Sequence, residues 1–231
     1  MAKNPQSNAR NEALESLYCR HWARLREMRS RFQIESKPYL VRVHPNYELA
    51  EKRLVVVGKE TNGWGNEVEI DGRSAADAVA ALMEVYENFR FGEQYDGKAA
   101  FWVPVSELYG RINPEGPAYG FVALNASKFD QGQGTPNDEV RDAIIETSLL
   151  LEEIRILDPH IVVFLTGPRY ESWLDRWFPD LKRSGDEWFC QMAASGLPKY
   201  SFRTYHPQYL NRAGRRIEIF DRILAAVTEA H

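Results

Sequence analysis

Two hydrophobic periodicities alternate along the chain. Leu14, Leu17, Tyr18, Trp22, Leu25, Met28 and Phe32 recur at helical spacing and predict an amphipathic helix ending before Lys37 and Pro38. Leu54, Val55, Val56 and Val57 instead form a continuous run, the pattern of a strand buried on both faces. Residues 74–89 are rich in alanine, open on a serine able to cap them, and predict a helix. Residues 121–124 predict the next strand. Beyond the loop Gln131-Gly132-Gln133-Gly134, Thr135 reads as an N-cap and Pro136 as the first residue of a helix running to about Leu157. Asp138 and Glu139 then face its positive end. Residues 161–165 predict a third buried strand, turning at Thr166-Gly167-Pro168 into a short helix. Residues 189–192 and 200–204 read as further extended segments, and Ile217, Phe220, Leu224 and Val227 mark a last amphipathic helix.

Strands alternating with long helices, without repeats or a long linker, predict one α/β domain. The expected architecture is a three-layer α/β/α sandwich around a central, largely parallel four-stranded sheet. Residues 1–10 are expected to be disordered and 11–231 to form the single domain, a length that can bury one continuous core.

Composition narrows the function classes. With 44% hydrophobic and 27% charged residues the chain resembles an ordinary soluble protein. No apolar stretch approaches a membrane span, and the polar start lacks a signal-peptide core. Cys19 and Cys190 are the only cysteines and lack metal or disulfide spacing, which points to a reducing cytoplasm and excludes cysteine-built clusters. A net charge of −4 argues against a surface coated with phosphate-binding charge. Locally, though, Arg203, His206, Arg212, Arg215 and Arg216 crowd one segment, where a phosphate-facing role competes with a structural one. Arg20, Arg24, Arg26, Arg29 and Arg31 read as a solvated helix face.

Candidate chemistry sits at three predicted strand ends. Gly58, which lets the backbone turn and a ligand approach closely, is followed two residues on by Glu60, a carboxylate able to orient water. Taken alone, Glu60 reads first as a surface glutamate in an ordinary βα loop. Asn125 closes the second strand, where its amide suits a base edge or simply its own backbone. His206-Pro207 follows the last strand. His44-Pro45 repeats the dipeptide elsewhere, so the pair itself is uninformative and the context carries the distinction. An imidazole at His206 suits stabilisation of negative charge on a leaving group. Leu210, read as lying on an exposed basic loop, fits an apolar wedge between base steps.

In their order these parts resemble the uracil-DNA glycosylase superfamily over roughly residues 54–210. Gly58, Lys59, Glu60, Thr61 and Asn62 match its first motif, of the type Gly-Gln-Asp-Pro-Tyr or Gly-x-Asn-Pro-Gly. Leu124-Asn125-Ala126 matches its Asn at a strand end. His206, Pro207, Gln208, Tyr209 and Leu210 match its last motif, of the type His-Pro-Ser-Pro-Leu. The resemblance implies that Glu60 positions the attacking water and His206 hydrogen-bonds the departing base. It further implies that Asn125 reads the pyrimidine edge and Leu210 fills the gap left by the flipped nucleotide. Gly58 and Asn62 would border the base, Trp64 and Phe101 (or Trp102) are the candidate stacking rings, and Arg212 and Arg215 would meet DNA. No metal or redox cofactor is implied. Thr61 departs from the family's proline, Gln208 and Tyr209 from its Ser and Pro. Asn62 stands where strict uracil enzymes carry a tyrosine that blocks a 5-methyl group, which opens the expectation of a 5-modified pyrimidine.

The leading expectation is therefore a monofunctional DNA glycosylase, acting as a cytoplasmic monomer on uracil or a 5-modified pyrimidine, in repair or in foreign DNA such as that of a phage. A catalytically inactive nucleic-acid or nucleotide-binding module of the same fold is the alternative. A third reading, an unrelated α/β hydrolase of nucleosides, lacks support because the sequence carries no Gly-x-Ser-x-Gly elbow or Gly-rich phosphate cradle.

Overall fold

A computed structural model describes residues 5–89, 91 and 99–228. The chain is an α/β protein with a six-stranded mixed sheet: β1 (Leu54–Gly58), β2 (Phe121–Asn125), β3 (Ile161–Phe164), β4 (Lys182–Gly185), β5 (Phe189–Ala193) and β6 (Tyr200–Thr204). The spatial order is β2-β1-β3-β6-β5-β4. β2, β1, β3 and β6 run parallel, whereas β5 and β4 are antiparallel additions at one side. The expected four parallel strands are present, but the sheet is larger by a hairpin. Its outer strand β4, four mostly exposed residues including Lys182 and Arg183, is short and charged, which blunts the edge against further pairing.

The apolar runs are continuous because both sheet faces are covered. Val55, Val57, Val122, Leu124, Val162 and Phe164 face one core, shared with α1 (Pro5–Arg31), α2 (Ala75–Phe89), α4 (Asp138–Glu146), α5 (Leu149–Leu157) and α6 (Glu171–Trp177). Their neighbours Leu54, Val56, Phe121, Ala123, Ile161 and Val163 face a second core with α3 (Trp102–Ile112), α7 (Pro207–Arg212) and α8 (Arg216–Thr228). The two-residue alternation of a strand thus distributes one run between two cores. Each fully buried Val, Leu, Ile or Phe among them contributes about 1.5–3 kcal/mol.

Two local expectations are corrected. Residues 5–10, expected to be disordered, form the first turns of α1, where Arg10 pairs with Glu48 at 2.6 Å and Asn11 bonds both backbone groups of Val43. Residues 1–4 lie outside the described residues. The single helix expected from Pro136 to about Leu157 is two helices. Asn137, not Thr135, is the cap, accepting from the Val140 amide at 3.0 Å. The break falls at Ser148, whose φ of 53° is left-handed. Thr147 closes the first helix by donating to the Ile144 carbonyl and accepting from the Leu149 amide.

That break aims α5 at the most enclosed ion pair among the described residues. Glu153 accepts from Tyr18 at 2.8 Å and meets Lys128 at 2.6 Å, with side chains 0% and 2% exposed for the acid and the lysine. Burial pushes the Glu153 carboxyl up and the Lys128 ammonium down from their ordinary values, and each partner's charge opposes that drift. The pair ties the loop after β2 to α5 and α1. Removing one partner strands a buried charge. Glu153→Gln is therefore expected to lower stability by about 3–5 kcal/mol, and the double replacement Lys128→Met with Glu153→Leu by much less, in urea unfolding. Equal losses in both variants would contradict an ion pair of this kind.

Candidate active site

Parallel strands end on one edge of the sheet, so the segments that follow them converge. A cavity of about 530 Å³ opens there, lined by Gly58, Glu60, Asn62, Trp64, Phe101, Asn125 and His206, all singled out in the sequence. Tyr39, Lys59, Phe89, Trp102 and Gln208 are among the residues that complete it.

Gly58 and Asn125 are in register on β1 and β2. A Cβ at position 58 would collide with the Asn125 side-chain oxygen and touch the Phe101 ring at 3.5 Å. The glycine lets the amide fold across the strand end. Among the described residues nothing hydrogen-bonds the Asn125 side chain, so its donor and acceptor are unspent.

Glu60 is not an ordinary surface glutamate. Its Oε1 accepts from the Thr135 hydroxyl at 3.1 Å and its Oε2 from the Tyr170 hydroxyl in a short contact. Burial, then the Glu60 charge, pushes the Tyr170 hydroxyl well above its ordinary range, so it stays a donor. Two donors fix the carboxylate, while each oxygen keeps a lone pair free to hold a water.

Asp130 shapes the surrounding loop. Its Oδ2 accepts from the Thr61 hydroxyl at 2.6 Å and the Gly63 amide at 2.9 Å, and its Oδ1 from the Gln133 amide at 3.0 Å. Thr61, the departure from a proline, thus supplies a hydroxyl that anchors the loop.

His206 caps α7, its Nδ1 accepting from the Gln208 amide at 3.2 Å. His44 does the same for the turn Pro45–Tyr47, accepting from the Asn46 amide at 3.2 Å. The His-Pro dipeptide is a capping device in both places, and only the location separates them. With Nδ1 accepting, the proton of a neutral His206 is assigned to Nε2. Burial first, then the Lys59 ammonium, pushes its pKa down to about 4. At neutral pH it is an uncharged donor. Its ring lies 5.5 Å from that of Phe101. Trp64 packs edge-on to Tyr39 at 4.7 Å and Phe89 at 5.3 Å, its indole N–H buried without a partner. Both candidate stacking rings thus belong to the cavity, as does Trp102.

The expectations for the basic segment need correction. Leu210 is 0% exposed and packs in the second core, because α7 turns it inward; it is no wedge. The outward side chain is Tyr209, 48% exposed, stacked on Tyr205 at 4.8 Å and on Trp188 at 5.7 Å. Arg215 is held bidentate by Glu218 at 2.7 and 2.9 Å and lies 4.5 Å over the Trp188 ring. Arg203 is buried against Glu171 at 2.6 Å, and Arg216 pairs with Glu107 at 3.3 Å. Arg212 is exposed and makes no ion pair among the described residues.

Asp130, Tyr170 and Thr135 were not read as site residues. Tyr170 follows the turn after β3, the same strand-end logic that found the others, whereas Asp130 carries no signal beyond its place before a glycine-rich loop. Among the described residues no cluster of three His, Cys, Asp or Glu side chains could hold a metal ion. Compared with known proteins, the chain matches no family model and no curated protein.

The His206 geometry fixes a pH dependence. Unfolded, the imidazole titrates near about 6.5; folded, it does so at about 4. Between those values the unfolded chain binds the extra proton, so this stabilising contribution is complete above about pH 6.5 and is lost as pH falls toward about 4. In NMR titration the His206 ring should remain neutral through pH 5, and His206→Gln should flatten the stability loss in that window. A midpoint near the ordinary histidine value would refute the buried, neutral state.

Proposed function

We propose that the chain is a monofunctional DNA glycosylase that takes a flipped pyrimidine into the cavity and hydrolyses its bond to deoxyribose. The observation that carries this reading is the meeting, in one cavity, of a doubly anchored carboxylate, an unspent amide and a neutral histidine, flanked by aromatic rings. The helices on both faces of the sheet fit a three-layer α/β/α sandwich, and the proposal includes action on DNA as a cytoplasmic monomer.

The chemistry follows from what each group offers. A base extruded from the stack enters between Phe101 and the neighbouring rings, and the Asn125 amide pairs with its polar edge. As the C1′–N1 bond breaks, its electron pair passes to the base, and negative charge spreads to O2. His206 Nε2–H donates to that oxygen, and being already neutral it sheds no proton to do so. Glu60 accepts a hydrogen bond from water, whose oxygen bonds to C1′, and takes its proton; the same carboxylate steadies the positive charge of the sugar before water arrives. Lys59 adds a positive charge beside the leaving group. Tyr209, rather than Leu210, offers an aromatic face to the flanking strand.

Purified protein and the variants Glu60→Gln and His206→Ala would meet oligonucleotides holding uracil or 5-modified pyrimidines, with alkali cleavage at abasic sites as readout. Glu60→Gln keeps an acceptor for one hydroxyl, so the fold should persist while the rate falls about 10²–10⁴-fold. His206→Ala should cost about 10²–10³-fold. DNA binding without abasic sites on any substrate would replace this reading with the binding module.

A further inference from the structure

A second cavity, of about 650 Å³, adjoins the first and shares Asn62, Trp64 and Phe89 with it. That size lies within the range of about 300–1,000 Å³ usual for small-molecule sites. Beyond the shared residues it is lined by Glu67, Arg73, Glu84 and Asn88, with Val68 and Val85 among the apolar positions. None of those four polar side chains makes an ion pair or side-chain hydrogen bond among the described residues. Neither Asn125, His206 nor Gly58 lines it.

Ring geometry says which part of a base would face it. C2 and C5 stand opposite each other across a pyrimidine ring. A base whose C2 oxygen is held by His206 therefore directs C5 away from His206, toward groups the histidine does not touch. Asn62, Trp64 and Phe89 form a boundary of that kind, and Asn62, exposed and polar, leaves it open.

We propose that this second cavity receives a bulky, hydroxyl-bearing substituent on C5 of the pyrimidine, of hexose type. The inference rests on the glycosylase reading of the first cavity. Glu67 and Glu84 supply acceptors for hydroxyl donors, Asn88 both a donor and acceptors, and Arg73 donors. The wall of Trp64 and Phe89 offers aromatic surface to the apolar face of a sugar. Two carboxylates against one guanidinium leave an acidic lining, which disfavours an anionic substituent and favours a neutral polyol.

The test compares three duplexes carrying uracil, 5-hydroxymethylcytosine, or 5-hydroxymethylcytosine bearing glucose on its hydroxymethyl oxygen, with abasic-site formation as readout. The glucosylated base is expected to be released, and Glu84→Ala combined with Asn88→Ala to lower kcat/KM for it about tenfold more than for 5-hydroxymethylcytosine. A filling substitution, Asn62→Tyr, is expected to depress the glucosylated substrate most. Release of uracil with none of the glucosylated base, or equal losses on both modified bases, overturns the inference and leaves the glycosylase reading standing. The absence of abasic sites on all three substrates overturns both. Circular dichroism of each variant separates these outcomes from misfolding.

Discussion

Between Gly58 and Asn125, paired in register on adjacent parallel strands, there is room for a hydrogen atom and not for a methyl group. The rest of the site depends on that closeness. It lets an amide lie across the end of β1, places Phe101 against the same glycine, and turns the chain at once into Lys59 and Glu60. A parallel sheet makes such an arrangement economical: strand ends of one polarity lie on one edge, so residues far apart in sequence meet without long loops. The interior of the sheet, buried on both faces, supplies the rigidity that keeps the amide and carboxylate where they are.

Around this frame the polar groups are fixed by partners whose own roles are structural. Tyr170 and Thr135 hold Glu60, Asp130 holds the loop that carries Asn62, and the backbone of α7 holds His206. Farther off, Lys128 and Glu153 bind the loop after β2 to the helical layer beneath it. The arginines around His206 are largely consumed: Arg203, Arg215 and Arg216 have acidic partners, and Arg212 alone of that group makes no ion pair among the described residues. Among the described residues this segment therefore presents more exposed aromatic surface, at Tyr209, than unpaired positive charge.

Much of the architecture was legible in the chain. The unbroken apolar runs identified β1, β2 and β3, because a strand covered on both sides has no polar alternation to show. The edge hairpin was harder. β5 reads as extended, but β4, with Lys182, Arg183 and Ser184, has no hydrophobic signature since it is exposed at the sheet margin. The division of the long helix at Ser148 was also hidden: a serine with left-handed dihedrals looks like any serine in a helical pattern.

The site shows the same division. From the sequence alone came the positions at strand ends, Gly58, Glu60, Asn125 and His206, because chain order and the glycine break mark where a buried strand emerges. Which way a side chain turns was decided by tertiary structure. Leu210 sits four residues beyond His206 just as the motif suggests, yet the helix begun at Pro207 rotates it into the core and leaves Tyr209 outside. Asp130 touches the site from a segment whose local pattern says nothing of it, and the neutrality of His206 comes chiefly from burial. Sequence periodicity records what each residue does for its own helix or strand; contact, protonation and direction depend on what folds against it.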